Sequence, residues 1–229
     1  MTGSDDLKGL YPFLHGIGHS EPDLEKALLE SALQKARDSR AANERLFSAQ
    51  AATLVQAAKA LANVYRTGGR LFCMGNGGSS CDAAHVTVEF LHPITAGRPA
   101  LPAINLAADT AMLSAVGNDL GFEHVFVRQL LAHGRAADAL LGISTSGNSA
   151  NLIAAFTTAK RLGMATIGLA GGDGGRMKSA GVVDHCLVVE ADSVHRVQEC
   201  HVTAFHILWD LVHTLLADQR GSAGTGASP

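Results

Sequence analysis

From Leu71 onward the chain alternates short apolar runs with longer amphipathic stretches, and that alternation leaves few folds open. Residues 71–74, 103–106, 139–143, 165–170 and His185–Val189 are apolar on both alternating positions, as strands covered on two faces are. Helical patterns fill the spaces between them at 81–91, 109–116, 123–132, 149–162 and 174–180, and a last helix spans 193–216. Connections of this length suit parallel crossovers. The sequence therefore predicts an α/β fold, a three-layer sandwich around a five-stranded parallel, flavodoxin-like sheet. Ligands in that class sit at the carboxyl ends of the strands, where the strand order switches.

Upstream, residues 23–65 read as helix twice over. Leu24, Ala27, Leu28 and Ala32 recur at helical spacing, as do Leu54, Ala57, Ala58, Leu61 and Val64. Gly68-Gly69 closes the second segment as a C-terminal glycine cap. Residues 1–22 form a mixed leader, 23–218 a single domain that includes these helices, and 219–229 a disordered tail of small residues. A chain of 229 residues, 47% apolar and 17% charged, buries an ordinary core. Its net charge of −3, with no clustered basic face, excludes a nucleic-acid footprint. The start lacks a basic segment followed by an apolar core, and no run of about 18 apolar residues offers a membrane span. Cys73, Cys81, Cys186 and Cys200 form no C-x-x-C pair and read as reduced thiols, so the cytoplasm is the expected location.

The run Gly142-Ile143-Ser144-Thr145-Ser146-Gly147-Asn148-Ser149 stands at a strand-to-helix corner. Such a corner presents free N–H groups and the positive end of a helix dipole, and the hydroxyls add donors. That is chemistry for a phosphate. Without the lysine of a nucleotide-binding loop, a sugar phosphate suits it better than ATP. Met74-Gly75-Asn76-Gly77-Gly78-Ser79-Ser80 follows the first strand in the same way; alone it is equally a tight turn, but two such loops can face one cleft. His85 and Glu89, four apart, share one helix face and could share a metal ion or move protons, although a solvated polar face has the same spacing. Gln198 and His206 lie on one side of the last helix, with His195, Glu199, His201 and His213 nearby and Val197, Val202, Phe205, Leu208, Trp209 and Val212 as an apolar stripe. Asn118 and Asp119 suit either a turn or sugar hydroxyls, and residues 171–175 read as a flexible turn.

Taken together these segments resemble the sugar isomerase (SIS) domain family and, within it, the phosphoheptose isomerases. The resemblance runs from about residue 54 to 218 and rests on C-M-G-N-G-G-S-S-C-D-A-A-H-V-T-V-E at 73–89, V-G-N-D-L-G-F at 116–122, L-L-G-I-S-T-S-G-N-S-A-N at 140–151, and R-V-Q-E-C-H at 196–201 with the later His206. It implies conversion of sedoheptulose 7-phosphate to D-glycero-D-manno-heptose 7-phosphate through an enediol, a step toward bacterial surface polysaccharide. By the same resemblance Glu89 is the general base and His206 its acid/base partner. Asn76, Gly77, Gly78, Glu89, Asn118, Asp119, Ser144, Thr145, Ser146, Ser149 and Gln198 hold the substrate, and His85, Glu89, Gln198 and His206 bind one zinc. The implied partners are the sugar phosphate and further copies of the chain in a homotetramer, with neither nucleic acid nor membrane. Two places depart from the family pattern: Phe90-Leu91-His92-Pro93 stands where a Thr-Gly-Arg-type segment is common, with no arginine until Arg98, and His195 stands where an aspartate is common. The alternatives are a non-catalytic SIS-fold regulator of a replication initiator, or an isomerase or sensor for another sugar phosphate.

Overall fold

The computed structural model describes residues 21–223. The leader up to residue 20 and the tail from 224 lie outside the described residues. Helix α1 (Glu21–Arg66) is one continuous element of 46 residues rather than two. Between its two apolar stretches, residues 33–53 contain neither glycine nor proline and are rich in Ala and Arg, so nothing ends the helix even though the apolar stripe lapses. The chain divides into two units inside this helix, Met1–Asp38 and Ser39–Pro229. In the first, Leu24, Leu28, Leu29 and Leu33 are exposed; in the second, Ala42, Leu46, Leu54, Ala57, Ala58, Leu61 and Val64 are buried. The expected cap is present: Gly68 takes φ +77°, its N–H bonds to Tyr65 and that of Gly69 to Val64.

After α1 come β1 (Leu71–Gly75), α2 (Gly78–Leu91), β2 (Ala103–Asn105), α3 (Thr110–Asp119), a 3₁₀ turn (Phe122–His124), α4 (Val127–His133), β3 (Ala139–Ser144), α5 (Ala150–Arg161), β4 (Ala165–Gly171), α6 (Gly175–Ser179), β5 (His185–Val189) and α7 (Val194–Ala223). All strand pairs are parallel, in the order β2-β1-β3-β4-β5. The order therefore turns back between β1 and β3, the switch point of the flavodoxin-like class. Alternate strand residues feed two cores. Leu71, Cys73, Leu141, Ile143, Leu169 and Leu187 face the second unit's part of α1, α2 and α7. Phe72, Met74, Leu140, Ala170 and Val188 face α3, α4, α5 and α6. Gln50 covers edge strand β5, its amide donating to the carbonyl of Val188 and accepting that residue's N–H.

Helix α7 carries an 18-residue window of mean hydropathy 1.2, enough by length and composition alone to cross a membrane. Its apolar residues Val197, Cys200, Ala204, Phe205, Leu208 and Val212 instead pack in the core. It continues to Ala223, so residues 219–223 extend the helix where the tail was expected to begin. Helices α2 and α7 run parallel. The Gln198 amide lies over the Cα of Gly78, the Phe205 ring against His85, and the Trp209 indole on the Glu89 carbonyl, a constant offset of 120 positions.

Candidate active site

The seam between α2 and α7 gathers the acid–base groups. His85 and Glu89, one turn apart, pair through Nε2 and Oε1 at 3.2 Å with side chains 42% and 25% exposed. The His206 ring meets His85 edge-on at 4.9 Å, and Phe205 packs against both imidazoles. One ligand atom from each of His85, Glu89 and His206 lies within 4.8 Å of the other two. Two imidazoles and a carboxylate are donors that zinc accepts, and ligands held about 2.0–2.2 Å from one ion stand about 3.5 Å apart, so small rotamer changes would seat a cation.

The loops at the carboxyl ends of β1 and β3 form a second assembly. Asn76 and Asn151 exchange reciprocal amide hydrogen bonds at 3.0 and 2.8 Å, tying the two loops across neighbouring strands. The Ser144 and Ser149 hydroxyls sit 3.2 Å apart, and the Gly147 N–H donates to Ser144 Oγ. Ser146 is exposed and accepts from the Asn148 N–H, while Thr145 is half-buried. Ser149 is the N-cap of α5 but makes no capping bond, leaving the helix start open toward a ligand. Gly77 and Gly78 are exposed at the start of α2, and any Cβ on Gly78 would strike the Gln198 amide.

One chain does not bring these assemblies together. Glu89 lies eleven residues beyond Gly78, about 16 Å down the axis of α2. The Leu101 N–H bonds to the Phe90 carbonyl and the Leu71 N–H to Pro102, which sets Glu89 level with the amino end of β1. Gln198 stays with the loops, about 12 Å along α7 from His206, so one chain supplies three of the four expected ligands at a single point. Asn118 and Asp119 end α3, exposed and hydrogen-bonded to each other. His195 is exposed at the start of α7.

The SIS domain family model matches residues 36–171. A phosphoheptose isomerase from Chlorobium phaeobacteroides is 44% identical over 195 residues, 84% of each chain. The structure of a phosphoheptose isomerase from Neisseria gonorrhoeae superposes with a TM-score of 0.76 at 36% identity, covering 82% of this chain and 99% of the other. A Francisella tularensis phosphoheptose isomerase gives 0.74 at 34%, covering 86% and 100%. The chain belongs to the SIS domain family and, within it, to the phosphoheptose isomerases.

For a member of that family, three side chains carry more of the geometry than their sequence context shows. Asn151 is buried and joins the loops, a role hidden because its partner lies 75 positions away. His201 is buried and pairs through Nε2 with the Ala170 carbonyl at the end of β4; burial pushes its pKa down to about 4, so it is neutral and donates that bond. Asp82, one turn before His85, is held above the usual carboxylate range by burial, against the opposing pull of His85. A cleft of about 340 Å³ opens at the amino ends of β3 and β4, away from the acid–base groups. Its carboxylates are already engaged: Asp138 takes the Arg70 and Arg135 amides, and Asp184 takes Thr166 and Lys160.

Proposed function

We propose that this chain is a sedoheptulose 7-phosphate isomerase that forms D-glycero-D-manno-heptose 7-phosphate by moving a proton between C1 and C2 through an enediol. The observation that carries the reading is the carboxylate of Glu89 beside the imidazole of His206 on the α2–α7 seam. Ketose-to-aldose exchange needs a base for a carbon-bound proton and a second group that trades protons with the oxygens. Glu89 takes the proton from C1 and returns it to C2, while His206 protonates the C2 oxygen and accepts the proton from the C1 oxygen. The reacting carbons keep their electrons within the sugar, so no redox partner is needed. Ser144, Thr145, Ser146 and Ser149, with the open start of α5, hold the phosphate. Asn76, Gly77, Gly78, Asn118, Asp119 and Gln198 contact the sugar hydroxyls.

His85, Glu89 and His206, with Gln198 from a second copy of the chain as fourth ligand, would hold a zinc ion, which would supply Lewis-acid polarisation of the carbonyl. A carboxylate bound to metal would be a weaker base, so Glu89 could serve in proton transfer only through an oxygen that the ion does not engage.

The working unit is a cytoplasmic homotetramer whose sites close between subunits. With C–C bonds of about 1.5 Å, an extended seven-carbon phosphate is about 10 Å long, short of the drop from the phosphate loop to Glu89 within one chain. A second copy offering its own seam to this rim supplies the missing half. Glu89→Gln and His206→Gln, assayed with sedoheptulose 7-phosphate, test the reading: both lose turnover if it holds, and near-normal turnover in both overturns it.

A further inference from the structure

Helix α2 ends badly for a helix that must present a general base. Its last carbonyls have no helical partner unless the following residues supply N–H groups. The Val88 carbonyl takes the His92 N–H at 2.8 Å, and that of Phe90 takes the Leu101 N–H at 2.8 Å. The carbonyl between them belongs to Glu89. Its helical donor would be residue 93, and residue 93 is proline, which has no N–H. Proline also drives the residue before it out of the helical region, and His92 sits at φ −136°, ψ 69°. The Glu89 carbonyl is nevertheless satisfied, by the indole Nε1–H of Trp209 at 2.9 Å.

The indole is itself held in place. The Arg98 guanidinium lies over its ring, 4.3 Å from the centroid, and bonds to Asp210, the next residue along α7. His213 meets the ring edge-on at 4.9 Å. Arg98 arrives from the connection that follows Pro93, so the segment that removes the N–H also delivers the guanidinium that fixes its replacement.

We propose that Trp209 is a positioning residue for Glu89: its indole N–H stands in for the backbone N–H that Pro93 lacks, with Arg98 and Asp210 holding the ring. The proposal rests on Glu89 being the base. Reacting groups must be held to within about 0.5 Å, and a 1 Å displacement costs about a hundredfold in rate. A last turn with an unsatisfied carbonyl frays, and Glu89 moves with its backbone.

The test uses the full-length protein with Trp209→Phe, which keeps an aromatic ring under Arg98 while removing the donor and the second ring, and with Trp209→Phe/Pro93→Ala, which restores an N–H at position 93 without refilling that space. Hydrogen exchange reads the clamp without reference to activity: amides of residues 89–92 exchange about tenfold faster in Trp209→Phe, with the rest of α2 unchanged. Kinetics with sedoheptulose 7-phosphate read the consequence: kcat falls about tenfold at constant KM, and the double variant recovers at least about threefold. Unchanged exchange at 89–92 overturns the clamp. Faster exchange with kcat within about twofold of wild type, or a double variant no better than Trp209→Phe, overturns the positioning role. A wild-type enzyme inactive on this substrate would end the functional reading instead, and exchange would still judge the clamp.

Discussion

At the rim of the sheet, the loops after β1 and β3 take their shape from amides and hydroxyls a few residues apart, such as Ser144, Gly147 and Ser149. Along the α2–α7 seam, His85, Glu89 and His206 meet because two helices 120 positions apart in sequence run side by side. The rim offers N–H and O–H donors suited to a fixed dianion; the seam offers two imidazoles and a carboxylate, groups able to take up and give back a proton. The proposed function thus places binding and chemistry at different ends of the same layer, and a substrate of modest length needs both. The contrast is what the proposed site, closed between two copies of the chain, is built to resolve.

The sharpest way to separate the two regions is to disable one and watch the other. Glu89→Gln keeps the shape of the seam and removes the base, so kcat falls about 10³-fold while KM stays within about threefold, measured by steady-state turnover. A KM effect of similar size would mean that the seam anchors the substrate as well.

The next effect concerns the joint between the regions, His201, which links α7 to the end of β4. Its folded pKa of about 4 lies below the ordinary value of 6.5, so the unfolded chain binds a proton that the folded one refuses. This contribution is complete above about pH 7 and is lost as pH falls through 6.5 toward 4, by about 3 kcal/mol in all. Urea unfolding at pH 7.5, 5.5 and 4 should follow that course, and His201→Gln should flatten it. A wild-type profile that is level over this range would remove His201 as the joint.

The smallest effect belongs to the rim. Ser149→Ala deletes one hydroxyl from a loop with several donors that share the phosphate, so KM rises about five- to tenfold with kcat unchanged, somewhat less than a lone hydrogen bond to a charged group contributes. A fall in kcat instead would place Ser149 in the chemistry and blur the division.

The two regions also differed in how far the sequence exposed them. The strands and the order of elements were legible because each run, such as 139–143, is apolar on every position and bounded by turn residues. The rim was legible because its donors are contiguous. Half of the seam was legible too, since His85 and Glu89 are one turn apart on one helix. What stayed hidden depends on contacts between distant segments. The reciprocal amides of Asn76 and Asn151 need β1 and β3 to be neighbours. Trp209 read as one more member of an apolar stripe, because only the fold sets its indole against the Glu89 carbonyl. The continuity of α1 was missed for a different reason: a helix crossing a polar stretch keeps its backbone bonds while losing the periodic signal.

The division of labour between rim and seam is tested most directly by mixing two disabled chains. Glu89→Gln loses the base, and Ser146→Glu places a carboxylate in the phosphate loop; each alone should be nearly inactive. Co-expressed in equal amounts and purified as mixed oligomers, they should recover about a quarter of wild-type activity, since random assortment pairs an intact seam with an intact rim in one site of four. Mixed oligomers no more active than the average of the two parents would contradict a site shared between subunits.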